Sequence, residues 1–156
     1  MKKMICLLVC LAFLPACSAA EKTVELPGSR YVIDVPDRME YSPAALPTDM
    51  GVEAYISEDL EMDYRSYPKT EAATFGISGT LRETAEQLVN LGVEAELREV
   101  GGIEMLVYRT QDPADGAPCI GYVFEDGGML VEVFFWYATQ EAADDTARII
   151  SSIREK

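Results

Sequence analysis

Residues Cys119–Tyr137 read CIGYVFEDGGMLVEVFFWY, and the reading of this stretch decides the fold. Two apolar runs flank Glu125-Asp126-Gly127-Gly128. Asp and Gly supply the positive-φ positions that tight turns need, so the stretch predicts a β-hairpin. In the second run Met129, Val131, Val133, Phe135 and Tyr137 alternate with Leu130, Glu132, Phe134 and Trp136. The first set is wholly apolar, and the second carries a single carboxylate. A strand that is apolar on both faces belongs in the middle of a sheet. The remaining segments are expected to pair beside this hairpin or to cover it.

Immediately upstream, Val93–Arg98 alternates, with Val93, Ala95 and Leu97 facing inward and Glu94, Glu96 and Arg98 facing water. Glu99 falls at the next inward position, which predicts a strand end or bulge there. Gly101-Gly102 then turns the chain into a strand over Ile103–Arg109. Before this pair, Thr80-Leu81-Arg82-Glu83 is a capping box that opens a helix with Leu81, Ala85, Leu88 and Val89 on its apolar side. Gly92 suits the left-handed position that stops it. Pro68–Gly79 has no apolar period and reads as a loop.

Further upstream, Thr23–Leu26 and Arg30–Val35 form a first hairpin around Pro27-Gly28-Ser29. Gly51–Ile56 and Met62–Tyr67 form a second around Ser57-Glu58-Asp59, and Met39–Met50, with Pro43 and Pro47, is irregular. Downstream of the main hairpin, Thr139 caps a last helix whose apolar stripe is Ala143, Ala147, Ile150 and Ile153. Glu141, Asp144 and Asp145 suit its N-terminal end. Hairpin-linked strands with two main helices give an α+β domain: an antiparallel β-sheet built from successive hairpins and flanked by helices.

The order of these pieces resembles PsbP-like domains. Arg30–Glu40, RYVIDVPDRME, resembles their Y-x-hydrophobic-x-hydrophobic-P opening. The capped helix at Thr80, the strand pair around Val100-Gly101-Gly102-Ile103, and a long final hairpin before a helix ending Ile149–Ile153 follow in the same order. The resemblance covers nearly the whole chain after the leader and is one of pattern, without a distinctive chemical motif. It implies a PsbP-like sandwich and little about activity, because the fold serves unrelated binding and assembly roles.

The first residues, MKKMICLLVCLAFLPACSAA, read as an export signal. Lys2 and Lys3 form the charged region, and Met4–Leu14 is an apolar run of signal length, short for a membrane span. Leu14-Pro15-Ala16-Cys17 resembles the lipobox of bacterial lipoproteins, although Pro15 departs from the small or β-branched residue usual there. This implies a signal over 1–16, lipid attached to Cys17, a short tether over 17–22 and a single domain over 23–156. Ser18–Lys22 would span at most ~17 Å, so the domain would ride close to the outer face of a bacterial membrane. The competing reading is cleavage after Ala20, which would give a secreted protein starting at Glu21.

The chain of 156 residues carries a formal charge of −14, which becomes −16 once Lys2 and Lys3 leave. Such a balance excludes nucleic acid as a partner, since phosphates need basic surface. Cys6 and Cys10 leave with the signal and, in the lipobox reading, Cys17 carries lipid, so Cys119 then stands alone as a small buried hydrophobe, with no disulfide framework. The sequence has no histidine. Ser-His and Cys-His nucleophile pairs and the usual zinc sets are thereby removed. Asp59–Asp63 resembles the start of an EF-hand loop, but Tyr64 takes the glycine position and Thr70 that of the bidentate glutamate. Read as a strand, Glu61, Asp63 and Arg65 form a solvated face. No metal, cofactor or catalytic residue is assigned.

The feature that points to a function is the second face of the central strand. Leu130, Glu132, Phe134 and Trp136 share it, with Tyr108, Leu106 and Glu104 on the corresponding face of the neighbouring strand. If the helices cover the opposite face, Tyr108, Glu132, Phe134 and Trp136 form an aromatic and acidic binding patch for an envelope protein or a small ligand. If a helix or Met39–Met50 covers it, these residues are core, with Glu132 at the margin. The expectation is thus a non-enzymatic binding or assembly module, anchored in the envelope through its N-terminal lipid. The alternative is an extracytoplasmic hydrolase working with paired carboxylates, with or without a divalent cation.

Overall fold

The computed structural model describes residues 20–42, 53–77 and 79–156. The leader, Cys17 and most of the Met39–Met50 connection lie outside them. The main hairpin is β8 (Pro118–Asp126) and β9 (Met129–Tyr137), paired through Asp126↔Met129. Gly127, at φ 61°, supplies the left-handed turn position. β9 is the fourth strand of an antiparallel seven-stranded sheet, so its two-sided apolar pattern has the central place it predicts.

On one side of β8, β7 (Ile103–Gln111) and β6 (Glu94–Val100) continue the sheet. Their turn places Gly101 at φ 58° and Gly102 at φ 81°, the two positive angles of a tight hairpin. On the other side of β9 lies β5 (Leu60–Pro68), then β4 (Glu53–Ile56) and the short β3 (Glu40–Tyr41). A second sheet of three strands pairs β1 (Glu21–Glu25), β2 (Tyr31–Pro36) and the C-terminal β10 (Arg154–Glu155).

The large sheet is covered on both faces. On its first face the small sheet and α2 (Gln140–Ser151) press Ile33, Val35 and Ile149 against Met62, Phe124 and Phe135. On its second face α1 (Leu81–Asn90) and a 3-10 helix (Lys69–Phe75) bring Leu81, Ala85 and Ala72 onto Tyr67, Leu106, Val123 and Leu130. α1 opens on the expected capping box: the Thr80 hydroxyl accepts from the Glu83 amide, and Glu83 Oε2 accepts from Thr80 N at 2.8 Å. Gly92, at φ 83°, closes it.

Local expectations needed correction wherever a tertiary partner outweighed the pattern. Pro68–Gly79 contains a 3-10 helix, not only a loop, because Ala72 and Ile77 are drawn into the second core. Val89 is 54% exposed, and Thr84 takes its place inside. The buried stripe of α2 is Ala142, Ile149 and Ile150 together with Asp145 and Thr146, while Ala147 is exposed. Asp145 is tolerated there because Arg38 and Arg148 both bind its carboxylate, the latter at 2.8 Å. β6 neither ends nor bulges at Glu99; it stays in register opposite Glu104, where both side chains reach water. Glu21 and Lys22, expected in the tether, pair in β1. Asp59 sits in a turn beside Arg38 and Thr139. Among the described residues no group of acids, cysteines or histidines could hold a metal ion. Cys119 is free and buried, and burial pushes its thiol up to about 11, in keeping with a packing role.

Candidate functional site

The second face of the large sheet is divided. Its α1 end is apolar, whereas toward the other end the pairing of four strands stacks three polar and aromatic rungs. Arg65, Glu132, Val123 and Leu106 form one rung, and Asp63, Phe134, Gly121 and Tyr108 the next. Glu61, Trp136, Cys119 and Thr110 form the third. Side chains directly opposite each other on one face are in contact range, so these rungs are physical neighbours.

Glu132 lies at the centre and is buried. Its Oε2 accepts from the Arg65 guanidinium, and its Oε1 accepts from the Tyr108 hydroxyl at 2.6 Å. Arg65 is held from its other side by rings, its guanidinium carbon lying 4.7 Å from the Phe75 centroid and 5.7 Å from that of Tyr67. The Tyr108 ring lies against Gly121, where any Cβ would overlap it. The glycine is therefore required by a close approach and not by its backbone angle. Burial, and then the Glu132 charge, push the Tyr108 hydroxyl well above the usual phenol range, so it stays a hydrogen-bond donor. The Phe134 centroid lies 5.9 Å from that of Tyr108 and 4.4 Å from that of Trp136, the latter pair edge-to-face. Trp136 Nε1 donates to Asp112 Oδ2 at 3.1 Å.

Asp63 is the unusual member. It is 7% exposed, and its Oδ1 has no hydrogen-bond partner among the described residues. Burial first, then the charges of Glu61 and Glu132, push its carboxyl up to about 7, against the opposing pull of Arg65. The only other buried side-chain polar atom without a partner among the described residues is the Tyr67 hydroxyl, on the same face of β5. Glu61 is also raised, by burial and by Asp112.

The four residues singled out from the sequence are thus brought together, but on unequal terms. Tyr108, Phe134 and Trp136 are half-buried, as a partly accessible surface requires. Glu132 is not at the surface margin; it is buried under them because Arg65 and Tyr108 satisfy it. The expected solvated face of Glu61, Asp63 and Arg65 is corrected likewise: Asp63 is buried and the other two are half-buried. Sequence reasoning missed Arg65, Asp63 and Gly121 as members of the site. A glycine in the middle of an apolar strand was the available signal for Gly121.

Antiparallel sheets with helices against both faces of the larger one define an α+β module, and its fold is PsbP-like. The chain is similar to the solution structure of cyanobacterial PsbP (CyanoP) from Synechocystis sp. PCC 6803, with a TM-score of 0.58 and 15% identity over 91% of this chain and 96% of that one. It is also similar to a crystal structure from Bacteroides thetaiotaomicron VPI-5482, with a TM-score of 0.56 and 13% identity. There the match covers 86% of this chain and 48% of the other, so the present chain spans about half that protein's length. No family model and no curated protein matches the sequence.

Proposed function

We propose that the protein is a non-enzymatic binding or assembly module of the bacterial envelope, exported and held at the outer face of a membrane by lipid on Cys17. Its contact surface is the aromatic patch of Tyr108, Phe134 and Trp136, seated on the buried Glu132, and it receives an envelope protein or a small ligand. The observation that carries the reading is the half-burial of three clustered rings over a fully hydrogen-bonded carboxylate. Rigid, partly exposed aromatics of this kind dominate binding energies. The anchor rests on Leu14–Cys17 in the sequence; among the described residues no helix is long and apolar enough to cross a membrane. In the carboxylate-hydrolase alternative the working pair would be Glu61 and Asp63, because both oxygens of Glu132 are already engaged by Arg65 and Tyr108.

Two measurements test the proposal. Detergent partitioning should recover the mature protein in the detergent phase, and Cys17→Ala should move it to the aqueous phase or leave it unprocessed. Aqueous recovery of a wild-type protein starting at Glu21 would overturn the anchor. Trp136 is the chain's only tryptophan. Its fluorescence should be quenched by acrylamide in the purified protein, and photocrosslinkers at Thr110 and Trp136 should yield the same partner in intact cells. An unquenchable indole would close the patch and end the binding reading.

A further inference from the structure

We propose that the polar end of the second sheet face is a binding site for a primary alkylammonium group, with Asp63 as its counter-ion and Phe134 and Trp136 as its wall. This deepens the binding reading above and rests on it.

The charges at this end of the sheet do not balance. Glu61, Asp63 and Arg65 project from β5 and Glu132 from β9, Asp112 beyond β7 accepts from Trp136 and adds its charge beside Glu61, and the residue of β4 opposite Asp63 is the uncharged Ala54. The single cation at this end among the described residues, Arg65, is taken up by Glu132, whose second oxygen is filled by Tyr108. Among the described residues Asp63 and Glu61 are left without a salt bridge or side-chain hydrogen bond. They lie two residues apart on one strand face, about 7 Å along the chain. Asp63 Oδ1 is the carboxylate acceptor left unused among the described residues, and a buried acceptor without a donor costs free energy that a bound donor would return.

The shape of the surroundings restricts what can supply that donor. Asp63 is 7% exposed, so a group that reaches it must be slender, and its neighbours Phe134, Trp136 and Glu61 are half-buried. Phe134 is directly opposite Asp63 in the sheet and Trp136 directly opposite Glu61, so a cation held by either carboxylate meets an aromatic ring. A primary ammonium on an alkyl chain meets every requirement. Its three donors suit Asp63, its charge offsets the excess acid, and its methylenes run along the rings. A carboxylate or phosphate ligand would meet two unpaired acids and be repelled.

Asp63 is protonated in much of the free protein near neutrality, because its carboxyl is raised to about 7. Ammonium binding to the carboxylate form must therefore expel that proton, and affinity should rise with pH through that value. The test is calorimetry on the purified full chain with n-butylammonium, in buffers of different ionisation enthalpy. The proposal expects binding with release of close to one proton at about pH 6 and almost none at about pH 9. Asp63→Asn, which removes a buried charge and should fold well, should weaken binding roughly tenfold or more and abolish the proton release. Glu61→Gln should weaken it less, and n-butanol should not bind. Binding of N-acetyl-lysine methylamide alongside butylammonium assigns the site to a partner's lysine side chain; its exclusion assigns the site to a free amine. Absence of butylammonium binding, or equal binding by Asp63→Asn or of butanol, overturns the ammonium assignment. Quenching and crosslinking of the aromatic patch do not depend on Asp63, so the broader binding reading stands or falls separately.

Discussion

Asp63 should make the protein less stable as the pH rises, contrary to the usual behaviour of a paired carboxylate. Its carboxyl lies at about 7 in the folded protein, against an ordinary value of 3.8. Below the ordinary value the group is protonated in both states and contributes no pH dependence. Between the two values the folded state holds a proton that the unfolded chain has lost, so stability falls with pH, by at most about 1.4 kcal/mol per unit. Above the folded value the loss is complete. The full interval corresponds to about 4 kcal/mol, and relaxation around the new charge lowers the expected loss to about 2–4 kcal/mol. Asp34 and Glu83 run the other way. The Arg154 and Thr23 hydrogen bonds hold Asp34 below the carboxylate range, and the Thr80 amide and hydroxyl do the same for Glu83. These groups stabilise the fold above their ordinary values and cease to do so as the pH falls, which is why the wild-type profile alone would mix opposing slopes. The difference between wild type and Asp63→Asn isolates the one group. Urea denaturation followed by Trp136 fluorescence at about pH 4.5 and pH 8.5 should show Asp63→Asn gaining about 2–4 kcal/mol on wild type across that range. Parallel profiles would mean that Asp63 titrates like a solvated carboxylate, and the burial argument would be wrong.

Gly121→Ala should cost about 1–3 kcal/mol, because its methyl overlaps the Tyr108 ring and must lift it off the sheet. Thermal denaturation gives the loss, and Tyr108→Ala in the same chain should recover part of it if the clash is the cause. Glu132→Ala should cost about 3 kcal/mol or more, since it leaves Arg65 without its counter-charge and Tyr108 without its acceptor. A chemical denaturation midpoint unchanged by that substitution would show the network to be energetically idle.

What the sequence made legible was whatever is encoded locally. The β8–β9 hairpin, the capping box at Thr80 and the turn glycines Gly92, Gly101 and Gly102 depend on residues a few positions apart, and each is where the pattern puts it. The PsbP-like order of elements followed from the same local signals. The failures are long-range. Asp145 reads as a surface residue until Arg38, far away in sequence, reaches it. The 3-10 helix over Lys69–Phe75 has no period of its own and exists because the second core needs Ala72 and Ile77. The site was half legible for the same reason. Alternation placed Tyr108, Glu132, Phe134 and Trp136 on one face, yet Glu61, Asp63 and Arg65 alternate just as a solvated edge would. Only the pairing of β5 with β9 turns them inward to the same place.

The polar end of that face has no explanation in stability. Buried ion pairs such as Arg65–Glu132 are often matched or bettered by apolar residues of the same shape, and the first face of the same sheet is built that way, from Met62, Val133 and Phe135. The second face uses the apolar solution too, but only under α1 and the 3-10 helix, where Leu130, Val123 and Leu106 pack. A few ångströms along the same strands the composition changes to acids, one arginine and half-buried rings. At Asp63 it leaves an acceptor unfilled, at a cost that a leucine would avoid. Departures from local consistency of this kind concentrate where a protein binds or reacts. Apart from the Tyr67 hydroxyl, the departure among the described residues falls on the acids beside Phe134 and Trp136, and a partner offering a cation there would relieve it.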